Sequence, residues 1–329
     1  MYSVVIPVYG NEEFVPRIIV EFEKVAGVIW ARRKISVEFV FVVDASPDNS
    51  YAVLRDALPN APFQSQLLLH SRNFGSFAAI RTGLAAARGD YFGIIAADLQ
   101  EPPNLLVQFL GSMIDDGADV VVGVRKERSD PAASRIASTI FWSVYRRWVI
   151  KGIPRSGVDV FGCSRRFRDE LLKLEESNSS LVGLIYWLGF KRGEVTYSRQ
   201  RREFGKSAWT FRKRLSYLFD SVFSFTDLPI RALTFVGAVG TFMAILIGFL
   251  VFVLHLAGKI VVPGYAPIML AIVFFGAINL FGIGLVGSYA WRTYENTKRR
   301  PLSVICNRHI FDGSKTVSED GNSFAEVKR

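Results

Sequence analysis

Cysteine and histidine are scarce in this chain of 329 residues. It holds two cysteines, Cys163 and Cys306, and three histidines, His70, His255 and His309. Two thiols exclude a disulfide framework and a Cys-rich zinc site, and they suit a reducing, cytosolic setting. The scattered histidines leave little material for a histidine-based mechanism. His70 reads as a strand-end residue and His255 as one near a membrane interface, and neither is given a role. There is no P-loop, no His-Cys metal cluster and no nucleophile elbow. Charge is missing only locally: no Asp, Glu, Lys or Arg lies between Arg231 and Lys259, or between Lys259 and Arg292.

Each of those windows exceeds the ~20 apolar residues that span a bilayer core. A buried helix of a soluble protein rarely runs so long without a charged face. The windows flank Lys259-Ile260-Val261-Val262-Pro263-Gly264, a turn-like link, so the pair reads as a transmembrane hairpin with spans at about 233–257 and 266–291. Arg212, Lys213, Arg214 and Arg231 precede it, Arg292, Lys298, Arg299 and Arg300 follow it, and the link holds only Lys259. The positive-inside rule places both flanks in the cytoplasm. Met1 leads straight into SVVIPVY rather than into a signal peptide, so the first ~230 residues are expected in the cytosol. Gly282-Ile-Gly284-Leu-Val-Gly287 matches G-x-G-x-x-G literally but follows no strand; small residues for helix packing explain it better than a dinucleotide site.

Half of the residues are hydrophobic, yet the formal net charge is +10. With a mean hydropathy of +0.24, disorder across the whole chain is excluded. Outside the spans, β-rich runs recur at Ser3 to Tyr9, Val37 to Asp44, Gln66 to Ser71, Tyr91 to Ala97 and Asp119 to Val124. Helix-like stretches lie between them at about Asn49 to Leu58, Phe77 to Arg88 and Asn104 to Asp116. This alternation predicts an α/β fold with a largely parallel sheet, in which ligands bind beyond the carboxyl ends of the strands. Polar residues gather at those ends: Tyr9, Asn11 and Glu12; Asp44 and Ser46; Arg72 and Asn73; Asp98 and Gln100; and Arg125. Ordinary turn chemistry accounts for the Asn and Asp residues better than for the arginines.

The strings VVIPVYGNEE, VVDASPDNS, HSRNFG, ADLQEPP and R-x-x-R-x-x-G-x-S, in that order and before two terminal spans, resemble family 2 glycosyltransferases that load a sugar onto polyprenyl phosphate. These are the dolichyl-phosphate mannose synthases and bactoprenol glucosyltransferases. FSF-x-x-LP at Phe223 to Pro229 and the hairpin look like the bactoprenol type, so the likeness reaches about Pro301. It implies a GT-A, Rossmann-like catalytic domain at 1–210, juxtamembrane amphipathic helices at 211–231, the hairpin at 232–291 and a cytosolic tail at 292–329. The implied location is a bacterial-type inner membrane, with the catalytic domain and both termini cytoplasmic. The implied reaction is inverting transfer from a nucleotide-sugar donor to polyprenyl phosphate. Small residues in the hairpin also permit homo-oligomers.

The same likeness assigns residues. Pro7, Tyr9, Glu12 and Asp44 match positions that hold base and ribose, and Arg72, Asp98 and Arg125 join them on the donor. A divalent Mg²⁺ or Mn²⁺ bridging the donor phosphates would take Asp98, helped by the Gln100 carbonyl. Asp159 matches a carboxylate near the acceptor, as base or acceptor-orienting residue. Arg199, Arg202, Lys206 and Ser207 keep a loop pattern that would fold over donor and lipid phosphates, with Arg202 also catalytic. That loop belongs to a tract from Lys191 to Arg214 holding nine Lys or Arg against two Glu, a net +7. Arginine's planar fork suits phosphate oxygens, while Arg212, Lys213 and Arg214 would face anionic headgroups of the lipid bilayer. The tract is tied to a membrane flank and has no base-stacking module, which argues against nucleic acid.

Four positions depart from the family pattern. Ala96 stands where the first acidic residue of D-x-D-x-Q is usual, Val43 where an acidic or amide residue precedes Asp44, and Ser76 and Ala208 where lysines are common. Glu101 or phosphate oxygens could then complete a metal shell around Asp98. Two other readings stay open: a non-catalytic scaffold or regulator of a lipid-linked glycan pathway, and a membrane glycosyltransferase that extends a polysaccharide.

Overall fold

The computed structural model describes residues 1–126, 146, 152–154, 158, 160–176, 179–200, 221–257, 265–313 and 316–317. They divide into two compact units, 1–213 with 301–329, and 214–300.

The first unit is built on β1 (Tyr2–Val8), β2 (Val37–Val43), β3 (Gln64–His70), β4 (Tyr91–Ile94), β5 (Val120–Arg125), β6 (Phe161–Ser164), β7 (Arg192–Tyr197), β8 (Ile305–Asp312) and β9 (Thr316–Val317). They form one sheet in the order β7-β5-β6-β4-β1-β2-β3-β8-β9. β1 to β4 are mutually parallel, β5 and β7 run the same way, and β6 and β8 run against them. The sheet is thus Rossmann-like and mostly parallel. β2 is buried at every position, as a central strand covered on both faces must be.

Four helices follow the first four strands: α1 (Val15–Arg33), α2 (Ser50–Ala57), α3 (Ser76–Ala86) and α4 (Leu105–Asp115). The three helices read from the sequence do not include α1, although its buried Val15, Ile18, Phe22, Val25 and Ile29 form a helical stripe. Phe22 stacks on Phe39 of β2 at 4.9 Å between ring centres. Further along lie α5 (Arg165–Lys173) and α6 (Leu181–Trp187), each opening on a serine, Ser164 or Ser180, whose hydroxyl caps a backbone N–H.

Residues 292–329 are not simply a tail. Ile305–Asp312 is a strand antiparallel to β3, and Phe311 on it is 4% exposed. The first unit therefore takes in chain from both sides of the apolar helices. At β4 the packing leaves no room for a side chain on Gly93: a methyl group there would lie 2.1 Å from the Tyr2 hydroxyl and 2.8 Å from Leu106 Cδ2. Gly93→Ala is expected to destabilise the domain by about 3 kcal/mol, read as a lowered denaturation midpoint at unchanged slope.

The second unit holds α7 (Leu228–Leu256, 29 residues) and α8 (Tyr265–Thr297, 33 residues). Both are long and apolar enough to cross a membrane, with mean hydropathies of 2.0 over Leu228–Ile247 and 1.4 over Phe274–Thr297. A methyl group on Gly282 of α8 would lie 3.6 Å from Leu233 of α7, so this glycine lies at helix-packing distance from its neighbour. The link at 259–264 and the juxtamembrane residues 211–220 lie outside the described residues.

Candidate active site

Strand order reverses between β4 and β1, and in open α/β sheets the crevice beyond the carboxyl ends at such a switch point is where ligands bind. Pro7 is tolerated near the end of β1 without loss of a strand bond. Odd-numbered residues of β1 face β4, as the bond from Ile95 N–H to Val5 C=O shows. The last registered pair of these strands is Val5 with Ile94, so the N–H that Pro7 lacks would have had no strand partner.

The rim beyond β1 and β2 is tied by one carboxylate that motif reading passed over. Asp48 accepts from the backbone N–H of Glu12 at 3.0 Å, from the Ser46 hydroxyl at 2.6 Å and from the Ser50 hydroxyl at 2.8 Å. Glu12 answers by accepting from Asn49 N–H at 2.7 Å. Gly10, at φ +68°, donates its N–H to Ser46, and Asn11 turns back to accept from Tyr9 N–H. Tyr9 itself is 43% exposed. Glu12 and Asp48 therefore shape the rim, each through the other's loop.

Asp44 faces inward and is 3% exposed. Its Oδ1 meets His70 Nδ1 at 2.8 Å and accepts from Phe74 N–H at 2.8 Å, while Oδ2 accepts from Gly75 N–H at 2.8 Å. Burial pushes the Asp44 pKa up, but the bonds from His70, Phe74 and Gly75 outweigh it and hold it below the ordinary carboxylate value. Asp48 behaves alike: burial raises it, and the Ser46 and Ser50 hydroxyls with the N–H groups of Glu12 and Ser50 bring it down. A depressed folded-state pKa contributes stability above the unfolded value near ~4, lost as pH falls through the folded value. Acid denaturation is expected to begin below about pH 4, and Asp48→Asn should flatten that limb in melts recorded against pH.

The Asp98 motif and the start of the basic tract meet across ~100 residues of chain. Leu99, at φ +52° and 5% exposed, turns the backbone after Asp98. That is a conformation an L-residue keeps only under surrounding constraint, and such positions cluster at active sites. Gln100 N–H donates to Asp98 at 3.3 Å. Arg199 donates to the Gln100 side-chain oxygen and pairs with Glu101 at 3.2 Å, and Glu101 is 1% exposed. Gln200 N–H adds a 2.8 Å bond to Gln100 C=O. The carbonyl read from the sequence as a metal donor is thus engaged by Arg199. Arg125 ends β5 beside Tyr197 of β7, the strand that leads to Arg199. Arg72 stacks on Phe74 at 4.0 Å and donates to Asn73 C=O.

The structure therefore brings Pro7, Tyr9, Glu12, Asp44, Arg72, Asp98, Gln100, Arg125 and Arg199 to the carboxyl ends of the strands or the loops that follow them. Asp159, Arg202, Lys206 and Ser207 lie outside the described residues. Among the described residues no three His, Cys, Asp or Glu side chains form a metal cluster. Asp48 carries structure that motif reading missed, and Glu101, read from the sequence as a residue that could complete a metal shell around Asp98, is buried and paired with Arg199.

The family model for glycosyl transferase family 2 matches residues 3–173. An uncharacterized glycosyltransferase of Bacillus subtilis, YkcC, is 30% identical over 305 residues, covering 92% of this chain and 93% of its own. One from Synechocystis, sll0501, is 29% identical over 304 residues, covering 92% and 94%. The prophage bactoprenol glucosyl transferase homolog of Escherichia coli K12 is 29% identical over 307 residues, covering 92% and 97%. The alignments span nearly all of each protein, not the sheet alone, and the chain is an enzyme that belongs to glycosyl transferase family 2.

Proposed function

We propose that this enzyme, with a GT-A catalytic domain, transfers a sugar from a nucleotide-sugar donor to polyprenyl phosphate at the cytoplasmic membrane face, inverting the anomeric centre. The observation that carries the reading is the pairing, in one chain, of a crevice bearing Asp98, Arg125 and Arg199 with two helices apolar enough to cross a bilayer. The relative named for bactoprenol glucosyl transfer covers 92% of this chain and so aligns with more than the family-2 region.

The chemistry asks for little more than alignment and cations. A phosphate oxygen of the lipid attacks the anomeric carbon, the bond from that carbon to the donor phosphate breaks, and the nucleoside diphosphate leaves with the electron pair. One such displacement inverts the centre. The nucleophile is already an anion, so orientation and charge neutralisation outweigh a strong base. Arg199, with the Arg202, Lys206 and Ser207 that follow it, would meet the diphosphate and the lipid phosphate, and Asp159 would orient the acceptor or take its proton. The tract through Arg214 would lie at anionic headgroups.

The residues present fit a divalent ion that the donor completes. Mg²⁺ is commonly held by one or two carboxylates plus substrate phosphates. Asp98 supplies one carboxylate, and Ala96 and the Arg199-engaged Gln100 leave the rest to phosphate oxygens. Bound there, the ion would neutralise charge on the leaving diphosphate. Ala96 also favours the scaffold reading, which predicts nucleotide binding without turnover. A panel of nucleotide sugars, offered with polyprenyl phosphate and Mg²⁺ or Mn²⁺ and repeated with a chelator, separates the two. Lipid-linked sugar from at least one donor supports transfer; none from any donor, with folded protein, supports the scaffold.

A further inference from the structure

His70 is 1% exposed, sits at the end of β3, and has both ring nitrogens engaged. Nδ1 meets Asp44 at 2.8 Å and Nε2 meets the Thr82 hydroxyl at 2.9 Å. Thr82, on α3 and 6% exposed, in turn meets the Ser303 hydroxyl at 2.6 Å. An ionised carboxylate only accepts, so the hydrogen between His70 and Asp44 belongs to Nδ1. With a neutral ring, Nε2 accepts from Thr82 and Thr82 accepts from Ser303, and every hydroxyl in the row has one direction. The row begins six residues beyond Thr297, where α8 ends, and finishes at the carboxylate that holds Phe74 and Gly75 N–H. Ser71 N–H is bound from the same side by Val304 C=O at 2.9 Å. The 71–75 loop, which carries Arg72 and Asn73, is thus gripped from within by Asp44 and from outside by the chain that follows α8.

We propose that His70, aligned by Thr82 and Ser303, is a positioning residue that holds Asp44 and the 71–75 loop in the geometry the donor requires. Asp44 then acts mainly by shaping the loop, because three of its acceptor positions are filled by the protein. The consequence for catalysis rests on the donor-site reading above; the consequence for loop order does not.

The test uses full-length protein with Thr82→Val, Ser303→Ala and the conservative Thr82→Ser. Three quantities are read: backbone amide exchange at Phe74 and Gly75, calorimetric affinity for UDP and for GDP, and KM against kcat with whichever donor is turned over. Loss of one hydrogen bond in the row is expected to speed exchange at Phe74 and Gly75 by about five- to tenfold. Nucleotide affinity should fall and donor KM rise by about the same factor, with kcat within about twofold, and Thr82→Ser should restore all of them. Unchanged exchange at both amides, or exchange rising equally throughout β1 to β4, would overturn the proposal. If loop exchange responds while no donor is ever turned over, the positioning role stands and the transferase reading falls.

Discussion

Asp98→Ala lowers turnover by on the order of a hundred- to a thousandfold and leaves the fold in place. The size follows from where charge develops. In the proposed reaction, negative charge accumulates on the leaving diphosphate when the donor's sugar-phosphate bond breaks, and Asp98 is the carboxylate proposed to hold a divalent ion against it. With Ala96 in the other acidic position of D-x-D-x-Q, the motif itself offers no second aspartate to take over. The Asp98 side chain is half-buried, and its bond from Gln100 N–H is long at 3.3 Å. Steady-state turnover beside a thermal melt checks both halves. Loss of activity with an unchanged melt is the expected pair, and near-normal turnover would remove Asp98 from the mechanism.

Cutting the chain after Arg300 is expected to abolish folding of the catalytic domain, although the cut lies beyond every motif the reaction uses. β8 pairs with β3 from Gln64 to His70 and covers an edge that would otherwise expose unpaired backbone. Phe311 is buried against the core, Arg308 donates to Gln66 at 3.0 Å, and Tyr51 meets His309 at 2.8 Å. Losing the ladder and this packing costs on the order of 5 kcal/mol, about the whole stability of a typical domain. A chain ending after Val317 keeps β8 and β9 and should stay folded. Soluble expression and far-ultraviolet circular dichroism of the two truncations give the comparison.

The parallel half of the sheet was legible because SVVIPVY, VEFVFVV and QLLLH are short apolar runs bounded by turn residues. Five strand ends bearing polar groups then pointed to the crevice without any knowledge of distances. α1 carries an apolar stripe as regular as that of any helix here, and it was missed beside the stronger punctuation of the strands. β8 was hidden for a different reason. ICNRHIFD follows a membrane-type helix, carries charge, and becomes a strand only by pairing with β3 more than 200 residues earlier. The same holds for the site's inner contacts. Asp48 looks like an ordinary turn aspartate until the fold brings Glu12 to it, and Arg199 looks like a free phosphate ligand until Gln100 and Glu101 are found against it.

The claim that two phosphates meet in this crevice is tested most directly by the choice of lipid. The full-length enzyme is placed in bilayers with a sugar-labelled donor it accepts, and the label recovered with the lipid is counted for polyprenyl phosphate and for the same polyprenol without phosphate. Label carried by the phosphate alone, and lost in Asp98→Ala, is the predicted result. Equal label on both lipids, or label on neither while the donor is hydrolysed, would contradict it.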